Sequence, residues 1–232
     1  MQFEPNHMYH VFNRGNNSQQ IFFSKDNYLF FLQKIKKYIL PFADVVAWCL
    51  MPNHFHLMIY VNNVEIPISE PDLVTPSHLI SKPEASPYSP GELPEADLAT
   101  PSHLVSSTTS KKTRSINQSV AILLRSYTRA LQKQEHFTGS LFQHRTKALC
   151  LTEIEGPEPT WFPTAFGTEI NIVDPEKEYP QVCFNYIHQN PVDAGLVIDS
   201  ANWEFSSYQD YAGIRKGTLV NKSLAVDLGL HI

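Results

Sequence analysis

The sequence predicts an α+β protein: an antiparallel sheet laid down in the order β-α-β-β-α-β, followed by one further helix. Three observations predict it. Short, largely apolar runs at 7–14, 43–50 and 54–61 have the length of strands. Two longer stretches, 26–40 and 113–134, place apolar residues at helical spacing. The pattern then lapses twice, at 62–110 and 152–174, in acidic, Pro-rich segments that read as insertions into one domain spanning 1–232.

The elements follow in order. His7 to Arg14 is the first strand. Ser24 caps a helix whose stripe is Leu29, Phe30, Leu32, Ile35, Tyr38 and Ile39, and Pro41 stops it. Ala43 to Leu50 is a buried second strand. Met51-Pro52-Asn53 turns the chain into the third, His54 to Val61. Thr113 to Gln134 is a second helix, with Ile116, Val120, Leu123, Leu124, Tyr127 and Leu131 on one side. Its other side carries Arg114, Arg125, Arg129 and Lys133. Gly139 to Leu151 reads as a fourth strand. Pro175 to Asn190 is a third helix, broken at Pro191 and followed by a tail whose Trp203, Phe205, Tyr208 and Tyr211 pack back on the body. Without the insertions, this order is the ferredoxin-like arrangement, an antiparallel sheet with helices on one face.

The insertions also explain the charge. The net charge is −5, yet residues 62–110 and 153–180 each carry seven acids and one lysine, which leaves +7 on the remainder. A basic scaffold attracts phosphates whatever the total charge, although ordinary solvated faces give the same count. The first insertion repeats itself, since Asp72–Ile80 (DLVTPSHLI) returns as Asp97–Val105 (DLATPSHLV). Two copies are too few for a solenoid, so it reads as a duplicated loop whose His78 and His103 are solvated. The three cysteines, Cys49, Cys150 and Cys183, form no CxxC pair and read as buried free thiols. No apolar run reaches membrane-spanning length and the N-terminus has no signal-peptide pattern, so the expected compartment is the cytoplasm, without a membrane partner.

Two constellations carry chemistry. His54 and His56, two apart in a strand, point to one face with Phe55 on the other, and two imidazoles on a rigid face can hold a divalent metal. Metallo-hydrolases usually continue such a pair with an acid and another His; Leu57-Met58-Ile59-Tyr60 offers neither. Tyr186 and Asn190 lie one helical turn apart. A phenol beside a metal can attack phosphorus, and an amide oxygen one turn away can complete the metal's shell. From these residues alone, the commoner account is an interface tyrosine with Asn190 as a cap at the helix end. Tyr127 is a rival nucleophile, but its place on an apolar stripe favours core packing.

YHVFNRGNN, MPNHFHLMI, TGSLFQHRTKAL and YIHQNPVDAGLV, in this order along the chain, resemble the IS200/IS605-type tyrosine transposases, closest to their REP-associated branch. The resemblance covers the chain apart from the two insertions, which depart from the family pattern. It implies a ferredoxin-like HUH nuclease fold with a Tyr-bearing C-terminal helix. It implies cleavage and rejoining of single-stranded DNA at hairpin-associated sites with Mg²⁺ or Mn²⁺. By motif, Tyr186 becomes the nucleophile of a 5′-phosphotyrosine intermediate. His54, His56 and Asn190 become metal ligands, with Gln189 in place of Asn190 if the helix phase differs. Arg14, Arg125, Arg129, Arg145 and Lys147 are the candidate DNA contacts, each equally readable as a surface charge; Asn13 joins Arg14 in holding DNA or closing the site. Phe142 is expected to pack rather than to stack on a base. The expected setting is the nucleoid, and the 152–174 segment is compatible with a monomer or with a homodimer that exchanges Tyr helices. Two rival functions stand beside this one: a domesticated, non-catalytic DNA- or RNA-binding module on the same fold, and a metal hydrolase using water.

Overall fold

A computed structural model describes residues 1–67, 112–152, 162–164, 167–169 and 175–232. The chain divides into two units, Met1–Ile66 with Arg114–Ile232, and Pro67–Thr113. The repeated segment with His78 and His103 lies outside the described residues.

In the first unit, β1 (Met8–Arg14) is followed by α1 (Lys25–Tyr38), β2 (Ala43–Met51) and β3 (His54–Val61). Two short strands, β4 (Glu65–Pro67) and β5 (Thr113–Ser115), form a sheet of their own. Then come α2 (Ile116–Glu135), β6 (Lys147–Cys150), a hairpin of β7 (Phe162–Thr164) and β8 (Gly167–Glu169), and α3 (Pro175–Asp193). The tail adds α4 (Tyr208–Tyr211) and α5 (Lys222–Asp227). The main sheet is antiparallel with strand order β2-β3-β1-β6.

Alternation along the strands gives the sheet two apolar faces. Tyr9, Val11, Phe55, Leu57 and Ile59 meet Phe31 and Ile35 of α1 and Leu123, Tyr127 and Leu131 of α2. The opposite residues, Met8, Met58, Ala47 and Cys49, meet Cys183, Phe184 and Ile187 of α3. The first two helices therefore cover one face and the third covers the other. β2 supplies both faces by alternation, which a register shift between Val45 and Ala47 interrupts so that Val46 and Ala47 both join the α3 side. The tail packs back as expected: Trp203 Nε1 donates to the Leu50 carbonyl at 3.1 Å, and Phe205 stacks on Tyr28 with ring centres 3.8 Å apart. Cys49 and Cys183 are buried free thiols, while Cys150 is only partly covered.

Several boundaries differ from those read in the sequence. The insertion predicted from residue 62 begins with held backbone: the amides of Asn62 and Asn63 donate to Phe42 O, and Ile116 N donates to Val64 O. Helix α2 starts at Ile116, not Thr113, because Ser115 is its cap. Ser115 Oγ accepts from Gln118 N at 3.2 Å, and Gln118 Oε1 accepts from Ser115 N at 3.0 Å. The strand predicted over 139–151 shrinks to Lys147–Cys150. Leu141 and Phe142 are buried as a strand's residues would be, but from a loop: Gly139 has φ +94°, and Asn13 Nδ2 bonds Gln143 O (3.2 Å) and Thr146 Oγ1 (2.9 Å). The segment 152–174 is not wholly irregular, since the β7–β8 hairpin lies within it.

Helix α3 does not break at Pro191. A proline removes one amide and crowds the preceding turn, yet the helix runs on to Asp193. It ends at Gly195, φ +66°, where Leu196 N donates to Pro191 O and Gly195 N to Val192 O. Asn190 accordingly sits within the last turn rather than at the helix end.

Candidate active site

The site forms where β1 and β3 meet one end of α3. On the α3 face of the sheet, Arg14 pairs across to His54 and Phe12 to His56. The rings of His54 and His56 lie 5.0 Å apart at right angles. From above, α3 lowers Tyr186 and Asn190, one turn apart as predicted. The Tyr186 ring stands 5.3 Å from that of His56, nearly perpendicular, and Tyr186 is 38 % exposed. His54 Nε2 is 3.1 Å from Asn190 Oδ1. Gln189, the alternative ligand, is turned away, its Oε1 accepting from Ser200 Oγ at 3.4 Å.

The hydrogen-bond arithmetic of His54 is informative. Burial holds its pKa below the usual value; the bond to Asn190 opposes this and the Arg14 charge adds to it. A neutral imidazole has one N–H. Asn53 Oδ1 lies 2.6 Å from His54 Nδ1 and Asn190 Oδ1 lies 3.1 Å from Nε2, so the single N–H of a neutral His54 serves one of these two oxygens and not both.

His56 is buried, 4 % exposed, and its pKa is pushed well down, first by burial and then by the neighbouring His10, His54 and Arg14. Its Nδ1 is 2.8 Å from His10 Nε2, and its Nε2 has no hydrogen-bond partner among the described residues. Burial also lowers His10, to about 4.

Two imidazole nitrogens and an amide oxygen fit a small divalent cation. Two donors about 2.1 Å from one octahedral ion lie about 3 Å apart, which is the spacing of His54 Nε2 and Asn190 Oδ1. Imidazoles kept neutral by burial are in the state a metal requires. Among the described residues no group of three or more His, Cys, Asp or Glu could hold a metal, so a metal here would need Asn190 beside the two histidines.

The basic candidates fall into two groups. Arg14, Arg145 and Lys147 line a depression of about 330 Å³ together with His54, His56 and Tyr186. Arg125 and Arg129 line a second depression, of about 440 Å³, against α2 and the 140–146 loop. Among the described residues no acidic side chain lines either one. Asn13, expected to hold DNA or close the site, is largely buried, lines both depressions and bonds Gln143 O and Thr146 Oγ1 of the 143–146 loop. Tyr127 is fully buried with its hydroxyl donating to Ile21 O at 2.6 Å, and burial pushes its pKa far up. It is a core residue, and Phe142 packs against it with ring centres 6.1 Å apart. Sequence reasoning missed His10 and Asn53. Asn53 was visible as a turn residue beside the histidine pair, whereas His10 meets His56 only through the strand register.

No family model matches the chain, and no curated protein matches it. Among solved structures, that of a REP-associated tyrosine transposase bound to a REP hairpin is similar to it. The identity is 14 %, the match covers 95 % of this chain and 92 % of that one, and the TM-score is 0.49. No helix among the described residues is long and apolar enough to cross a membrane.

Proposed function

We propose that the chain is a metal-dependent single-strand DNA transesterase, in which Tyr186 is the nucleophile and His54, His56 and Asn190 hold Mg²⁺ or Mn²⁺. The observation that carries this is that His54 Nε2 lies 3.1 Å from Asn190 Oδ1, while Tyr186, His54 and His56, whose Nε2 has no hydrogen-bond partner among the described residues, line one depression whose described charged residues are all basic. The ferredoxin-like reading of the sheet is supported by its order, β2-β3-β1-β6, with the Tyr-bearing helix on the second face.

The chemistry follows from the groups present. A metal held there draws electron density from a phosphate oxygen and offsets the charge that grows during attack. Arg14, Arg145 and Lys147 contact phosphates and hold the strand in line. The Tyr186 oxygen forms a bond to phosphorus and the P–O3′ bond breaks. The phenolic proton passes to solvent, and the departing 3′-oxygen takes up a proton to become a free 3′-OH. That hydroxyl, or another, attacks the 5′-phosphotyrosine, expels Tyr186 and restores a phosphodiester. One phosphoester replaces another at each step, so no nucleotide cofactor is required.

The substrate class, a single strand beside a hairpin, comes from the motif resemblance. One chain supplies all four site residues, so the chemistry needs no exchange of Tyr helices between copies. The test is formation of a covalent protein–DNA adduct with Mn²⁺ on labelled single strands from the hairpin-rich flanks of the chain's own gene. Loss of the adduct in both Tyr186→Phe and His54→Ala supports the assignment. Its persistence in Tyr186→Phe removes it.

A further inference from the structure

The site contains one more group that the proposed chemistry has not used. His10 lies on β1, two residues before Phe12 on the same face, and it is buried. Its Nε2 is 2.8 Å from His56 Nδ1, and the two rings are stacked with centres 5.0 Å apart. The Phe12 ring also stacks on His10, with centres 4.6 Å apart, and lies 5.9 Å from His56.

One proton lies between the two nitrogens, and its owner decides what His56 presents to the site. If His10 donated, His56 would carry its own proton on Nε2, a buried N–H that blocks a cation. If His56 donates from Nδ1, its Nε2 bears the lone pair that a cation needs. We propose that His10 is the positioning residue for His56: its Nε2 accepts the His56 Nδ1–H, fixing ring and tautomer so that the His56 Nε2 lone pair faces the ion. This rests on the metal reading above. It assigns to a histidine the outer-shell role that a carboxylate or carbonyl usually fills. A carboxylate there would bring a buried negative charge; a neutral ring accepts the same bond without one.

Two measurements on the full chain test it. The first needs no metal: long-range ¹H–¹⁵N correlation spectra of ¹⁵N-histidine protein assign the tautomers. Both His10 and His56 should be protonated at Nδ1, and a His56 protonated at Nε2 overturns the proposal. The second is Mn²⁺ affinity without DNA, read from the electron paramagnetic resonance of free Mn²⁺, with thermal unfolding in EDTA as a check of folding. His10→Leu removes the acceptor and should weaken Mn²⁺ about 10- to 100-fold. His10→Gln keeps an acceptor oxygen and should recover most of that loss. If the two variants lose affinity equally while folded, or if His10→Leu binds like wild type, the proposal fails. Should His10→Leu not fold, the tautomers and His10→Gln still decide. A wild-type chain that takes up no Mn²⁺ overturns the metal reading itself, an outcome distinct from a wild type that binds Mn²⁺ with His10→Leu unchanged.

Discussion

His54 Nε2 and Asn190 Oδ1 face each other at 3.1 Å, and Asn53 Oδ1 lies 2.6 Å from His54 Nδ1, so one N–H of the neutral ring faces two acceptor oxygens. Whichever oxygen it leaves unserved gains from a cation or another donor. The two residues are 136 positions apart and reach each other only because α3 crosses the end of β3. From this relationship follows a prediction on Asn190. Asn190→Leu, similar in branching but without an oxygen, should weaken Mn²⁺ about tenfold or more with the fold intact. Asn190→Asp should tighten it, since an ionised oxygen replaces a neutral one. Free-Mn²⁺ resonance titrations read both.

The basic residues lining the depression around Tyr186 predict the salt dependence of DNA binding. Arg145→Ala and Lys147→Ala should each weaken single-strand binding and reduce the slope of log affinity against log salt by about 0.7, the share of one phosphate contact. Fluorescence anisotropy in EDTA between low and moderate salt measures this without cleavage. An unchanged slope in both would remove these residues from the strand's path. Arg125→Ala and Arg129→Ala test separately whether the strand extends to the second depression.

Tyr127 and Tyr28 predict an alkaline limit. Burial raises Tyr28 to about 12 and Tyr127 still further. Once unfolded, both ionise near 10, so above that pH the folded state binds more protons than the unfolded one. Stability is then fully present below pH 10 and is lost as pH rises from 10 through 12, by roughly 1.4 kcal/mol per pH unit for each tyrosine. Urea midpoints at pH 9 and pH 11 check the direction. Tyr127→Phe should flatten part of the fall and leave adduct formation unchanged, as suits a residue bonded to Ile21 O in the core.

Gly195 predicts the dependence of the site on the end of its helix. With φ +66° it closes α3 after Pro191, and a side chain there costs about 1–2 kcal/mol. Gly195→Ala should lower the thermal midpoint by several degrees in EDTA. Because Asn190 lies one turn away, it should also weaken Mn²⁺ more than the distant Gly229→Ala, which has a similar φ of +75°.

The strands and helices were legible because their burial has a simple period. His54, Phe55 and His56 alternate as a strand must, and the α2 stripe from Ile116 to Leu131 repeats as a helix must. Legibility failed where tertiary contacts replace period. Leu141 and Phe142 are as apolar as strand residues, but the loop that buries them is held by Asn13, a partner 130 positions away. Pro191 reads as a stop, yet the helix continues to a cap that only Gly195 and Leu196 reveal. The pairing of Tyr186 with Asn190 was visible as one helical turn, whereas His10 was not, since no spacing along the chain states which strand lies beside which.

The most direct measurement is a denaturing gel of wild type and Tyr186→Phe, each incubated with Mn²⁺ and a 3′-labelled single strand from the hairpin-rich flanks of the gene. The account predicts a labelled band shifted by the mass of the chain. It should be absent in Tyr186→Phe and without Mn²⁺, although Tyr186→Phe still binds the strand. A shifted band of equal intensity in Tyr186→Phe would contradict it.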